Sequence, residues 1–112
     1  MIRTKRIYDP PSPDDGHRLL VMRMWPRGIR KEAVDERQPE LGPSRALIAD
    51  FRQGRIDWPQ FAARYQAEMA ERAELLARAR EQAQRETVTL LCSCADENRC
   101  HRTLLKGLLE RS

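Results

Sequence analysis

Two short runs of residues are apolar on both faces, and they constrain the fold more than any other feature of this chain. The first is Leu19-Leu20-Val21-Met22, within residues 17–25, and the second is Thr87-Val88-Thr89-Leu90-Leu91-Cys92. Strands that are apolar on both faces belong inside a sheet that other layers cover. The two runs therefore predict buried strands, and Pro26 and Gly28 are expected to end the first.

The segments around these runs supply the rest of the fold. Residues 2–8 alternate apolar and basic side chains, which is typical of an edge strand, and the proline-rich residues 9–16 predict a loop. Residues 30–43 are charged and aperiodic, which indicates an irregular excursion or lid. The order of strand, strand, helices, strand and helix predicts a single α/β domain over residues 1–112, with a short, largely parallel β-sheet flanked by α-helices.

Helices are predicted in the middle and at the end of the chain. Ser44 begins a short helical segment that closes at Gly54, and Asp57 is a good N-cap for a longer helix. Neither glycine nor proline interrupts residues 60–86, although a bend over residues 70–74 stays open. The last amphipathic helix is marked by four leucines, Leu104, Leu105, Leu108 and Leu109.

Composition limits the classes of protein to be considered. Apolar residues make up 40% and charged residues 34% of the chain, which is too polar for a membrane protein and too hydrophobic for disorder. The three cysteines fall within residues 92–100, and an odd number at such close spacing favours reduced thiols over a disulfide framework. No apolar segment follows the first basic residues, so we expect a cytoplasmic protein without a membrane partner.

The turn over residues 92–102 concentrates the reactive side chains of the chain. It leads from a predicted strand into the last helix, and a helix N-terminus presents unpaired N–H groups and a positive dipole end to anions. Asp96 or Asn98 is expected to cap this helix, which places Cys100 and His101 in its first turns. Dipole and nearby cations favour the thiolate of Cys100, so we predict Cys100 as a reactive thiol and His101 as its proton carrier. The alternative is that Cys100 is a small buried residue without chemistry.

Three arginines are predicted to form a pocket for a small anionic ligand beside this turn. Arg23 lies near the carboxyl end of the first apolar strand, Arg27 follows it, and Arg102 lies on the last helix. If the two strands are parallel neighbours, the three guanidinium groups share a crevice and can bind a phosphate or carboxylate bidentately. A carboxylate of this chain is the alternative partner for Arg23.

Two other functions stay open. The formal net charge of +4 is compatible with a basic nucleic-acid-binding accessory module, for which Trp25 is the candidate stacking residue. A thiol or metal sensor would use Cys92, Cys94 and Cys100. However, the Cys-x-Cys and Cys-His spacings differ from the common zinc patterns, and Cys92 is expected to point into the core. We therefore expect neither a metal nor a cofactor.

Several motifs together resemble those of the YeaO-like proteins of the domain of unknown function family 488. They are Lys5-Arg6-Ile7-Tyr8-Asp9, Trp25-Pro26-Arg27-Gly28, Asp57-Trp58 and the Cys100-His101-Arg102 helix start, and they span nearly the whole chain. The resemblance implies a small α/β fold with a short parallel sheet, and it brings no established activity. Its motif positions are Arg23, Trp25, Pro26, Arg27, Gly28, Cys100, His101 and Arg102.

Overall fold

A four-stranded parallel sheet organises the computed structural model, which describes residues 1–111. Its strands are β1 (Ile2–Arg6), β2 (His17–Leu20), β3 (Glu36–Arg37) and β4 (Val88–Cys92). Their order across the sheet is β1-β4-β2-β3, and each neighbouring pair is parallel. The predicted small α/β fold with a short, largely parallel sheet is confirmed, with Ile2–Arg6 as an edge strand.

Strand β4 lies in the middle of the sheet, and every one of its residues is buried. Its side chains alternate between two layers, because successive residues of a strand point to opposite faces. Val88 and Leu90 join the larger apolar core, whereas Leu91 joins a smaller cluster with Ile7 and Leu20 on the other face. A run that is apolar on both faces thus becomes the central strand.

The carboxyl ends of three strands meet at one edge of the sheet. Cys92, the last residue of β4, is in register with Arg6, the last residue of β1. On the other side of β4, Leu91 is in register with Leu20, the last residue of β2. The segments that follow all three strands therefore leave the sheet side by side, and they include the turn with the cysteines.

The helices are α1 (Arg45–Arg52), α2 (Trp58–Ala70), α3 (Ala73–Arg85) and α4 (His101–Glu110). The predicted N-cap Asp57 is confirmed, since it forms a capping box with Gln60. Ser44, where a helical segment was predicted to begin, is the N-cap of α1, and its side chain accepts from the N–H of Leu47. Within residues 1–111, no helix is both long and apolar enough to cross a bilayer.

The uninterrupted segment of residues 60–86 forms two helices rather than one. Helix α2 ends at Ala70 and α3 begins at Ala73, and the backbone N–H groups of Glu71 and Arg72 bond to the carbonyls of Glu68 and Met69. The break lies within residues 70–74, where a bend was considered from the sequence. It lets both α2 and α3 contribute buried residues to the same core, which one straight helix of that length would overshoot.

All the helices contribute to the core on one face of the sheet. Leu47 of α1, Tyr65 of α2, Leu76 of α3 and Leu105 of α4 belong to the same cluster as Leu90. On the other face, loop residues cover Leu20 and Leu91. The expected flanking of the sheet by helices is therefore one-sided.

The segment after β2 departs from the prediction. The strand ends at Leu20 instead of continuing to Trp25, because residues 38–43 pack against the chain that follows it. A Cβ at Gly42 would lie 3.1 Å from both the Val21 carbonyl and the Arg23 amide nitrogen. Residues 30–43, predicted to be an irregular excursion or lid, also contain regular structure, since Glu36–Arg37 pairs with β2 as the strand β3.

Candidate metal centre

The three cysteines and one of the two histidines meet where β4 leads into α4. The ligand atoms of Cys92, Cys94, Cys100 and His101, which we call the thiol cluster, all lie within 4.8 Å of one another. Cys92, Cys100 and His101 are buried, and Cys94 is half-buried. All three cysteines are free thiols.

Strand alternation and helix placement bring these side chains together. Cys92 follows Val88 and Leu90 on the same side of β4, so it faces the helical layer. The turn then runs through a short 3₁₀ helix, Glu97–Arg99, and α4 begins with His101. The Cys92 side chain was expected to point into the core, away from a site. It is buried, yet its Sγ lies 3.3 Å from Cys100 Sγ.

Capping of this turn differs in detail from the prediction. The Asp96 side chain accepts from the N–H of Asn98 and so caps the 3₁₀ helix rather than α4. Cys100 is the N-cap of α4, and its side chain makes no capping hydrogen bond. His101 is in the first turn as predicted, whereas Cys100 immediately precedes it.

The imidazole of His101 is held between the backbone just after β2 and the sulfurs. Its Nε2 lies 2.5 Å from the carbonyl oxygen of Val21, which can only accept, so Nε2 carries a hydrogen. In the neutral ring, the lone pair of Nδ1 then faces the sulfurs of Cys92 and Cys100, at 3.8 Å and 3.9 Å. The Val21 carbonyl thus selects the tautomer and orients the ring.

Hydrogen bonding makes the two buried thiols, those of Cys92 and Cys100, electrostatically unequal. Hydrogen bonds with the side chains of Cys100 and Cys94 lower the pKa of Cys92, against the opposing effect of burial. The pKa of Cys100 is raised, because its thiol donates to Cys92 and is itself buried. Burial would lower the pKa of His101, but its contacts with Cys92 and Cys94 raise it to about 9. The geometry therefore favours the thiolate at Cys92, where the sequence favoured it at Cys100.

Arg102 adds a buried positive charge to the thiol cluster. Its Nη1 donates to the carbonyl of Cys94 at 2.9 Å and to the sulfur of Cys100 at 3.4 Å, and the residue is 3% exposed. Its Nε is buried and has no hydrogen-bond partner among residues 1–111. A guanidinium placed in this way stabilises negative charge on the sulfurs.

The other predicted ligand-binding residues lie on the segment after β2. Arg23 donates from Nε to the carbonyl of Pro43 at 3.2 Å, Trp25 is 39% exposed, and Arg27 is exposed. In the described part of the chain, no carboxylate forms an ion pair with Arg23, Arg27 or Arg102. The alternative of an internal carboxylate for Arg23 is therefore wrong, because a carbonyl takes that place.

Tyr65, a buried residue of α2, also borders the site. Its ring centroid lies 5.7 Å from that of His101, and its hydroxyl donates to the carbonyl of Leu41 at 2.7 Å. Burial and the charges of Cys100 and Cys92 raise the pKa of Tyr65, while the charge of Arg23 opposes this effect. Helical spacing predicts the burial of Tyr65, and no signal in the sequence places it against His101.

Known proteins are similar to this chain over nearly its whole length. The model of the DUF488-N3a family, described as the active DUF488-N3 subclade, matches residues 2–112. The chain is 38% identical over 110 residues to the uncharacterized protein YeaO of Escherichia coli, with 96% of each chain covered. It is 36% identical over 112 residues to the uncharacterized protein Rv3073c of Mycobacterium tuberculosis, with 96% of this chain and 92% of the relative covered. No solved structure matches the chain.

Proposed function

The chain belongs to the DUF488-N3a family, and within that family we propose that this protein binds a thiophilic divalent metal ion through its thiol cluster. One observation carries the proposal. Four side chains that are all common metal ligands place their donor atoms within 4.8 Å of one another. Three of them are buried, so an ion bound between them would be shielded from water.

The distances suit a tetrahedral ion. Zn–S bonds of about 2.3 Å and a Zn–N bond of about 2.0 Å separate two sulfurs by about 3.8 Å and a sulfur from a nitrogen by about 3.5 Å. Here the sulfur of Cys92 lies 3.2 Å from that of Cys94 and 3.3 Å from that of Cys100. Nδ1 of His101 lies 3.8 Å from the Cys92 sulfur. A Cys₃His tetrahedron then requires these sulfurs to move apart by about half an ångström and Nδ1 of His101 to move slightly closer to them.

The orientation of His101 supports the same proposal. Metal-bound histidines almost always donate their second ring N–H to a carboxylate, a carbonyl or water, which fixes the tautomer. The Val21 carbonyl accepts from Nε2 and leaves Nδ1 to face the sulfurs. Val21 also donates its N–H to the carbonyl of Leu91 in β4. The carbonyl that orients His101 is therefore held against the edge of the sheet.

Charge balance supports a divalent ion next to Arg102. Three thiolates and one divalent cation carry a net charge of −1, and the buried guanidinium of Arg102 supplies the opposite charge. It contacts both the Cys100 sulfur and the Cys94 carbonyl. Soft thiolate ligands in a tetrahedral arrangement favour Zn²⁺ among the available divalent ions. With four protein ligands, such an ion would hold the turn between β4 and α4 closed.

The experiment is metal analysis of the full-length protein purified under reducing conditions. We expect one Zn²⁺ per chain by elemental analysis. Replacement by Co²⁺ should give the visible bands of a tetrahedral centre together with a thiolate-to-cobalt charge-transfer band in the near ultraviolet. His101→Gln should lose the tetrahedral spectrum, whereas His17→Gln, at the other histidine, should keep it.

The result that overturns this proposal is a reduced, folded protein that binds neither Zn²⁺ nor Co²⁺ when either is supplied. Far-ultraviolet circular dichroism of each variant separates loss of the metal from loss of the fold. Equal binding by His101→Gln and the parent would likewise overturn the assignment of the fourth ligand.

A second candidate function is the binding of a small anion at the start of α4. It is favoured by the buried Arg102 Nε, which lacks a partner among residues 1–111, together with Arg23 and Arg27, which pair with no carboxylate there. Both nitrogens of His101 already have neighbours, so the arginines would carry the contact. Inorganic phosphate should raise the melting temperature of the parent and leave that of Arg102→Gln unchanged. An equal response of the two proteins would remove this candidate.

A further inference from the structure

Aromatic and arginine side chains form an exposed surface beside the thiol cluster. We call Arg6, Tyr8, Trp25, Arg27 and Arg30 the aromatic–arginine surface. Tyr8 is 47% exposed and Trp25 is 39% exposed, and Arg27 and Arg30 are also exposed. The Tyr8 hydroxyl reaches the backbone of Arg27, so the two rings lie on neighbouring segments, and exposed apolar groups set among polar ones are typical of interaction sites.

The two aromatic side chains are fixed by hydrogen bonds at their polar ends. The Tyr8 hydroxyl donates to the carbonyl of Arg27 at 3.0 Å, and the Trp25 Nε1 donates to the carbonyl of Ile29 at 2.8 Å. These polar groups already have hydrogen-bond acceptors within the protein. What each ring can offer to a ligand is therefore its apolar face. Rings held in place in this way lose little side-chain entropy when another planar group stacks on them.

The cations of this surface are unneutralised. Arg6, Arg27 and Arg30 form no ion pair with a carboxylate in the part of the chain that the structure describes. The Arg6 guanidinium carbon lies 5.7 Å from the centroid of the Tyr8 ring, and its buried Nε has no hydrogen-bond partner among residues 1–111. Guanidinium groups next to exposed rings suit a partner that alternates flat groups with negative charge.

The position of the surface follows from the strand order. Tyr8 lies on the segment after β1 and Arg27 on the segment after β2, and these two strands flank β4. Their hydrogen bond therefore joins the two segments across the edge of the sheet where β4 ends and the thiol cluster begins. In open α/β sheets, this edge is where ligands bind.

We propose that the aromatic–arginine surface binds single-stranded nucleic acid, with bases stacked on Trp25 and Tyr8 and phosphates contacted by Arg27 and Arg30. Single-strand binders combine aromatic stacking with a basic groove, and every base offers a flat face. A phosphorylated peptide would use the arginines without needing two fixed rings. The proposal does not depend on a metal in the thiol cluster, so the two can fail separately.

The test is fluorescence anisotropy of a labelled, mixed-sequence single-stranded DNA oligonucleotide with the full-length protein. Trp25→Ala should weaken binding at least about fivefold, because stacking of one base contributes that much or more. Between 50 and 200 mM salt, binding should weaken roughly tenfold if two to three phosphates are contacted. In a Trp58→Phe background, where Trp25 is the remaining tryptophan, the oligonucleotide should quench the fluorescence.

Matched variants separate this surface from the general basic charge. Arg27→Gln/Arg30→Gln and Arg45→Gln/Arg52→Gln each lower the formal net charge of +4 by two, and the second pair lies on α1. We expect a loss of binding of at least about tenfold for the first pair and little change for the second. Equal losses would overturn the proposal. So would the absence of binding at low salt, equal affinity for duplex DNA, or preferential binding of a phosphorylated peptide.

Discussion

Two buried arginines of this molecule are neutralised in different ways. Arg18, 7% exposed, bonds through its guanidinium to the carboxylate of Asp15 and to the carbonyl of Ala33. Arg102, 3% exposed, contacts only a carbonyl and a thiol among residues 1–111. A buried charge is costly without a partner of opposite sign. The charge of the first arginine is therefore balanced by a carboxylate, although its Nη2 has no hydrogen-bond partner among residues 1–111. The second depends on negative charge at the cysteines.

The surroundings of the two arginines differ in the same sense. Asp15 also accepts from Lys5 and from the N–H of Ser12, and its carbonyl accepts from the Thr89 hydroxyl. The contacts with Lys5 of β1 and Thr89 of β4 tie the loop before β2 to the sheet, as expected for a structural ion pair. Around Arg102 the anionic groups are thiols, whose charge changes with metal binding or protonation. A buried arginine whose counter-charge can vary, as at Arg102, therefore indicates a functional site, whereas one with a fixed carboxylate, as at Arg18, indicates a structural ion pair.

The largest expected effect is at the structural arginine. Asp15→Asn keeps the shape of the side chain but leaves Arg18 and Lys5 without their carboxylate, so we expect a loss of about 3–5 kcal/mol in the free energy of unfolding. Urea denaturation of the metal-free protein measures it. The control is Asp50→Asn, which breaks two ion pairs at the surface and should cost far less. Similar losses in both variants would end the distinction between a structural and a surface pair.

The next effect is at Arg102 and should appear in metal affinity. Arg102→Met removes the charge that balances a Cys₃His centre, so we expect the affinity for Zn²⁺ to fall about 10–100-fold, as for other outer-shell partners. Competition with a chromophoric chelator gives the affinity. Arg102→Lys should retain part of it, because the charge stays while the planar contact is lost. An unchanged affinity in Arg102→Met would show that the arginine does not serve the thiol cluster.

The smallest effect is in acid and again separates the two arginines. Hydrogen bonds from Ser12, Lys5 and Arg18 outweigh burial and hold the pKa of Asp15 below its ordinary value of 3.8. A carboxyl whose pKa is lower in the folded state stabilises the fold above the unfolded-state value and loses that contribution as the pH falls below it. In Cys92→Ser, which lacks a complete metal site, stability should still fall below about pH 3.8, whereas Asp15→Asn/Cys92→Ser should lack this component. Unfolding followed against pH in both variants measures it, and identical profiles would contradict the assignment.

Features set by neighbouring residues were predictable from the sequence. The apolar run of β4 and the N-caps Ser44 and Asp57 depend on local chemistry, and each lies where it was predicted. Strand β3 could not be predicted, because its two residues have no apolar pattern and its pairing with β2 comes from tertiary packing. The early end of β2 could not be predicted either, since it depends on close packing against Gly42, which comes well after β2 in the sequence.

The candidate site was predictable in its residues more than in its arrangement. The turn over residues 92–102 stands out in the sequence because it holds every cysteine. Its geometry depends on which face of β4 carries Cys92 and on the carbonyl of Val21, the residue after β2, which orients His101. Arg23 was expected beside a carboxylate or ligand, and its nearest polar partner is Pro43, a contact that no spacing in the sequence encodes.

The central position of β4 also determines when the protein can fold. The residues that it joins, such as Ile2 and Val88, are separated by most of the chain, and β1 and β2 both require β4 as their neighbour. A growing polypeptide therefore cannot assemble the sheet until its last strand has left the ribosome. Contacts so distant along the chain slow folding, because a long loop must close before they form. Cys92 ends that same strand and Cys94 and Cys100 follow it, so neither the sheet nor the thiol cluster can form before β4 has been made.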